Sequence, residues 1–368
     1  MHRSMHRWHQ SSDSFTALAL GLALAATASA QIAVSPQDRT SLEGSSFTHF
    51  PLGRPNARFQ FLHADLPPGM VLHGHAFRRD ATQVRGLVDA FSADMQVTLS
   101  ISPNTPAQAS PTFANNIGAT ATVVLPRTIV VFPATDRPAI DPSPSFDLIV
   151  PYALPFVLPA TPATLCVDTV MFGNNSAAGV DRSLSIYLDS HELTTNGTNE
   201  QPGFRMGTGC PPPGGTAASF ATMTLFHLGT SMRLDISARN GLPDDGTGRS
   251  FCLLGVGTST AGFPWPFRPQ CVLQTLLDQV FVLGTNDLAG SFDGSLANQP
   301  VLPAGLRMYL QAGSLAVGSL DLTVGDVTTI VTPGAGPTTL PAVRVAASTN
   351  RLATTGTVSP SVPVTLFF

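Results

Sequence analysis

The chain has 368 residues, of which 43% are hydrophobic and only 11% charged, and its formal net charge is −4. That balance is the opposite of a disordered chain, and it supplies no basic footprint for nucleic acid or anionic lipid. The sequence lacks lysine altogether and has three glutamates, Glu43, Glu192 and Glu200, so phosphate-loop lysines, Schiff-base lysines and Ser-x-x-Lys nucleophile pairs are excluded.

In chain order, the first element is a leader. Arg3 and Arg7 precede an apolar run from Phe15 to Ala26, and Ala28-Ser29-Ala30 offers a small-residue cleavage site. Residues 1–30 therefore read as a signal peptide, with a mature start near Gln31. The run is shorter than the ~20 residues that cross a bilayer, and no later segment is long enough either. A secreted protein is expected, extracellular or periplasmic, with no transmembrane segment in the mature chain.

The remainder reads as strands. Met95, Val97, Leu99 and Ile101 alternate with polar residues, as do Leu184, Ile186 and Leu188, and then Met232, Leu234 and Ile236. Period-two alternation puts one apolar face inward. Other runs are mostly apolar: residues 121–125, 128–132, 280–283 and 364–368. Turn-formers separate them, including Pro103-Asn104, Pro133, Asn174-Asn175, Asp244-Asp245-Gly246 and Asp293-Gly294. With 32 Gly and 32 Pro and no sustained 3.6-residue period, the expected class is all-β, with two antiparallel β-sandwich domains.

The Pro/Gly-rich segment from Gly207 to Gly215 marks a boundary. It divides an N-terminal sandwich, residues 31–205, from a second module, residues 206–332. A weaker break at Pro333-Gly334-Ala335-Gly336-Pro337 leaves a tail, residues 333–368, whose end reads as an added edge strand. Four cysteines in an exported chain imply two disulfides. Cys210 with Cys271 would close the second module, leaving Cys166 with Cys252, although all three connectivities stay open.

Arg58-Phe59-Gln60-Phe61, Thr112-Phe113-Ala114-Asn115-Asn116, the stretch from Pro151 to Pro155, Leu302-Pro303-Ala304-Gly305-Leu306 and Tyr309-Leu310-Gln311-Ala312 give the chain its style. In these it resembles uncharacterised secreted β-sandwich proteins of planctomycete-type bacteria. The resemblance implies the fold and export, and it brings no activity with it.

Three constellations are chemically suggestive. His73 and His75, two apart on a strand, would face one side and converge on a transition metal, with His63 and Asp65 completing the set. Asp244, Asp245, Asp287, Asp293, Asp321 and Asp326 are oxygen donors for calcium, but they lack the alternation of a calcium loop. The default expectation is no cofactor. Phe263-Pro264-Trp265-Pro266-Phe267 alternates rings with prolines and would form a platform for sugar faces. No Gly-x-Ser-x-Gly elbow is present; Gly257-Thr258-Ser259-Thr260-Ala261 lacks the second glycine. The leading expectation is a non-catalytic extracellular structural or adhesive protein, meeting a cell-surface glycan or protein. A carbohydrate-binding module and a secreted hydrolase are the alternatives.

Overall fold

The computed structural model describes residues 31–81, 89–135, 145–174, 183–247, 249–266, 268–319 and 321–368. The leader, residues 1–30, and Phe267 lie outside the described residues. The described residues form β-strands with three short 3-10 turns and no α-helix. No helix among them is long and apolar enough to cross a membrane. Every strand pair is antiparallel, as the alternating sequences and turn residues demand.

A first body has a six-stranded sheet in the order Thr357–Ser359, Ala342–Ala347, Ala57–His63, Leu165–Asn174, Phe91–Ile101 and Thr122–Phe132. A four-stranded sheet accompanies it: Ala33–Ser35, Thr365–Phe367, Val71–Phe77 and Leu148–Val157. Side chains of both sheets make one core, with Phe59, Met95 and Val97 from the first and Leu72, Val150 and Phe367 from the second. A small sheet of Ser46–Thr48, Leu188–Glu192 and Ser361–Pro363 flanks them.

The end of the tail is not an edge strand, although Thr357–Ser359 lies outermost in the six-stranded sheet. Ala342–Ala347 pairs with Ala57–His63, and Thr365–Phe367 sits between Ala33–Ser35 and Val71–Phe77. Its partners lie some 300 residues upstream, in the register Ala33↔Phe367 and Val345↔Gln60. Local composition carries no sign of such a pairing.

A second body pairs Asn199–Pro202, Phe220–His227, Met232–Arg239 and Phe292–Gln299 in one sheet. A five-stranded sheet runs Phe204–Met206, Leu322–Val331, Arg307–Ala316, Ser250–Gly257 and Gln279–Thr285. Leu234 and Ile236 meet Leu254 and Leu310 in the core between them. Strand pairing therefore runs across the Gly207–Gly215 segment, since Asn199–Pro202 and Phe204–Met206 belong to these two sheets.

The hairpin of Thr260–Trp265 and Arg268–Thr275 packs on the outer face of the five-stranded sheet, where Trp265 and Leu273 meet Leu315, Leu322 and Val324. Alternation along Arg307–Ala316 serves both faces: Met308, Leu310 and Ala312 point to the inner core, and Gln311, Gly313 and Leu315 point to the hairpin.

One disulfide joins Cys210 to Cys271, with S–S 2.01 Å, across 61 residues. In the chain-entropy account, closing such a loop contributes about 4 kcal/mol. The expected Cys166–Cys252 bridge does not form. Both are buried free thiols, Cys166 against Leu62 and Val343 in the first body and Cys252 in the core of the second. Each sits in a separate apolar core, and burial pushes the Cys252 thiol up to about 12 and the Cys166 thiol higher still.

Candidate functional site

The histidine set divides. His63 and His75 are buried, whereas His73 is exposed. The register of Val71–Phe77 against Leu148–Val157 slips between Leu72 and Gly74, and on the other side the N–H groups of His73 and Gly74 both donate to the Phe368 carbonyl, a bulge of Val71–Phe77. A bulge inserts one unpaired residue and resets which face the next side chain takes, so residues 73 and 75 do not share a side. The two-apart argument for convergence fails here for that reason.

His63 and Asp65 do meet, but through Ser35. The Ser35 hydroxyl donates to Asp65 Oδ1 at 2.5 Å and lies 2.8 Å from His63 Nδ1. With its own proton given to the carboxylate, Ser35 accepts from the histidine, so Nδ1 carries the hydrogen. A serine nucleophile needs the reverse, a histidine that takes the hydroxyl proton.

His75 Nδ1 lies 2.7 Å from the Tyr152 hydroxyl, and the ring of Phe77 packs edge-on against the imidazole with centroids 5.1 Å apart. Burial holds both His63 and His75 down at about 3 and lifts Asp65 to about 6. These are neutral imidazoles locked into a core seam.

A grouping that the sequence did not single out lies beside the strand Leu188–Glu192. Carboxylate oxygens of Glu43, Asp80 and Asp189 fall within 4.8 Å of one another, and all three residues are buried. Arg78 Nε donates to Asp189 Oδ2 at 2.6 Å, and its Nη2 donates to the carbonyls of Arg39, at 2.9 Å, and Leu42. Gly44 N–H donates to Asp189 Oδ1 at 2.7 Å, and Ala81 N–H to Glu43 Oε1 at 2.8 Å.

Burial, reinforced by the charges of Asp189 and Asp80, raises the Glu43 carboxyl well above its ordinary range. Burial also lowers Arg39. The Arg78 guanidinium already supplies positive charge to Asp189, so the grouping reads as an internal ion network that ties the segment 37–46 to the sheet. A Cβ on Gly44 would lie 1.8 Å from the Ser190 carbonyl oxygen, which is why glycine stands there. The available sequence signal was Arg78-Arg79-Asp80 directly after an apolar strand, together with one of the three glutamates.

The candidate calcium aspartates serve turns and ion pairs. Asp244 Oδ1 accepts from Gly246 N–H at 2.7 Å, and Asp287 Oδ1 from Ser291 N–H at 2.7 Å. Asp245 caps Thr247, Asp293 pairs with Arg239 and Asp326 with Arg205. Asp321 closes a turn through its carbonyl, which accepts from Ala316 N–H. They lie apart from any grouping of three ligands among the described residues.

The aromatic segment is also divided by a bulge. Register shifts within the hairpin fall between Thr260 and Phe263 and between Pro264 and Trp265. Phe263 is 57% exposed, whereas Trp265 turns inward against Cys210, Cys271 and Val324. Beneath the hairpin is a slot of about 190 Å³ whose walls include Trp265, Leu273, Leu277 and Val280. Gly255 and Gly313 form its floor; a Cβ on Gly255 would reach 2.3 Å from Leu277 Cδ2.

Gln311 is the one amide side chain in the lining, and its hydrogen bonds are spent. It donates to the carbonyls of Val272 and Gly325 at 3.1 and 2.9 Å and accepts from Gln274 N–H at 2.9 Å. The slot's chemistry is apolar. Sugar hydroxyls entering it would lose water without gaining those partners.

A polar cleft of about 320 Å³ lies where the bodies meet, lined by His191, Glu192, Asn199, Glu200 and Phe226 among others. His191 Nδ1 is 3.0 Å from Ser45 Oγ, and burial drives the imidazole down to about 2. Glu192 and Glu200 line this cleft, and sequence reading passed over it. No protein-family model matches this chain, and no curated protein matches it either.

Proposed function

We propose that the chain is a non-catalytic extracellular structural or adhesive protein, exported by its leader and engaging a cell-surface protein or glycan. The observation that carries this reading is the Ser35–His63–Asp65 arrangement. Here the three residue types of a hydrolase are assembled, yet the serine hydroxyl directs its hydrogen bond to the carboxylate and not to the histidine. The Cys210–Cys271 bridge agrees with an oxidising compartment. The buried Arg78–Asp189 pair and the histidine seam support a scaffold whose reactive groups are used for cohesion.

The test uses the purified chain on panels of polysaccharides and esters and on envelope fractions. Retention on envelope material without turnover is expected. Turnover that copurifies with the chain and disappears in Glu192→Gln would replace this reading with a hydrolase centred on the polar cleft. Glycan-specific retention lost in Trp265→Ala would move it to a carbohydrate-binding module.

A further inference from the structure

We propose that Glu43, Asp80 and Asp189 hold one calcium ion, which fastens the segment 37–46 and the residues after the strand Val71–Phe77 to the strand Leu188–Glu192. The inference goes beyond the functional reading above and stands whether or not the chain engages a surface partner.

The three carboxylates come from three places in the chain. Glu43 lies between the turn Gln37–Arg39 and the strand Ser46–Thr48. Asp80 follows the strand Val71–Phe77, and its N–H donates to the Tyr187 carbonyl at 3.1 Å. Asp189 lies on the middle strand of the small sheet. All three are buried, Glu43 and Asp189 at 0% exposure, and one oxygen of each falls within 4.8 Å of the others.

The arginines of this region do not answer Glu43. Arg78 gives Nε to Asp189, Nη1 to the Thr40 carbonyl and Nη2 to the carbonyls of Arg39 and Leu42, so each of its three nitrogens is engaged. Arg39 pairs with Asp38 and donates to the backbone carbonyl of Glu43. Among the described residues no ion pair includes the Glu43 carboxylate. Its Oε1 accepts from Ala81 N–H at 2.8 Å, and its buried Oε2 has no hydrogen-bond donor. The groups clustered with this carboxylate are two more carboxylates. Buried charges of this kind are paired or coordinate metals, because a lone one is too costly to enclose. The unpartnered Glu43 oxygen therefore points to a cation.

The donors are all oxygen, which selects a hard cation over a transition metal. Calcium–oxygen distances of about 2.3–2.6 Å place ligands on opposite sides of the ion about 5 Å apart, the scale of this grouping. Each Asp189 oxygen keeps a second lone pair beside the bond it accepts from Gly44 or Arg78. Magnesium holds a strict octahedron and keeps several of its waters, which suits three enclosed carboxylates less well. Calcium is thus the better fit.

Equilibrium dialysis and thermal melting of the purified full chain, stripped with EDTA, test this with calcium alone as the probe. One calcium per chain is expected at millimolar free ion, since extracellular calcium modules bind at about 10⁻⁴–10⁻³ M. Between EDTA and about 10 mM calcium the melting midpoint should rise by about 4 °C. Magnesium at the same concentration should give less than about half that rise. Glu43→Gln keeps the side-chain shape and removes the charge. It should melt in EDTA no lower than the parent and lose the calcium response. Asp245→Asn, at an exposed turn aspartate, should keep that response.

A chain that dialyses without bound calcium and melts alike in EDTA and in calcium would overturn the proposal, and a proton shared among the carboxylates would then be what settles Glu43. So would a calcium response that survives in Glu43→Gln, disappears in Asp245→Asn or is matched by magnesium. If Glu43→Gln does not fold, Glu43→Asp serves in its place. It draws the carboxylate back by one methylene and should weaken calcium binding by about tenfold or more; unchanged affinity would equally overturn the assignment.

Discussion

In the first body Arg78, Asp189, His63 and His75 are enclosed while their polar atoms find partners inside. In the second body Phe263, Val280 and Val282 are left in solvent beside an apolar slot. Enclosing charge costs desolvation that is recovered only while every partner remains, so the first body's interior is cohesive but intolerant of single losses. Leaving apolar groups outside costs little in the isolated chain but creates a demand for a partner. The difference teaches where each body is vulnerable: the first to removal of one polar side chain, the second to changes at its surface contacts.

The largest effect expected from this contrast is at Arg78. Arg78→Met removes the partner of a carboxylate that is itself fully buried, and by analogy with other broken buried pairs it should cost about 3–5 kcal/mol in urea unfolding. The double change Arg78→Met with Asp189→Leu should recover much of that loss. A single variant as stable as the parent would break the comparison.

Next in size is the aromatic pair of the second body. Trp265→Ala opens the slot and strips the Cys210–Cys271 bridge of a packing partner, at about 2–3 kcal/mol for a partly buried ring. Phe263→Ala, two residues away but in solvent, should stay within about 0.5 kcal/mol. Equal losses in thermal melts would mean that the two rings share one environment.

The smallest and most gradual effect is on pH. His63 and His75 sit at about 3 and His191 at about 2, below the ordinary 6.5. Because their folded values are depressed, the unfolded chain binds protons first as pH falls. Stability is full above about 6.5 and declines down to about 3, by roughly 1.4 kcal/mol per pH unit for each histidine. Asp65, raised to about 6, acts in the other direction, adding stability between about 6 and its ordinary value near 4. The buried carboxyls of Glu43 and Asp189, also raised in the calcium-free chain, act in the same direction as Asp65, so the histidine contribution is read as a difference: in urea unfolding His75→Phe should lose less stability than the parent between pH 7 and pH 4. His73→Phe, at the exposed neighbour, should not.

The all-β class, the alternation of Met232–Arg239 and the turn positions could be read directly, because side-chain period and turn chemistry are local properties of the chain. The sites were less legible. His73 with His75, and Phe263 with Trp265, each looked like same-face pairs, and in each case a bulge between strands separated them. A bulge is a property of two strands in register, so one strand's sequence does not announce it.

By itself, then, the sequence determined that strands bury the apolar residues, and which residue types are missing from any chemistry. Only the tertiary structure decided that the last strand returns to the first, that Cys166 and Cys252 stay apart, and that Glu43, Asp80 and Asp189 meet. Those outcomes depend on contacts between residues far apart in the chain. Many pairings of apolar strands satisfy the local pattern equally well, and packing and polar satisfaction select among them.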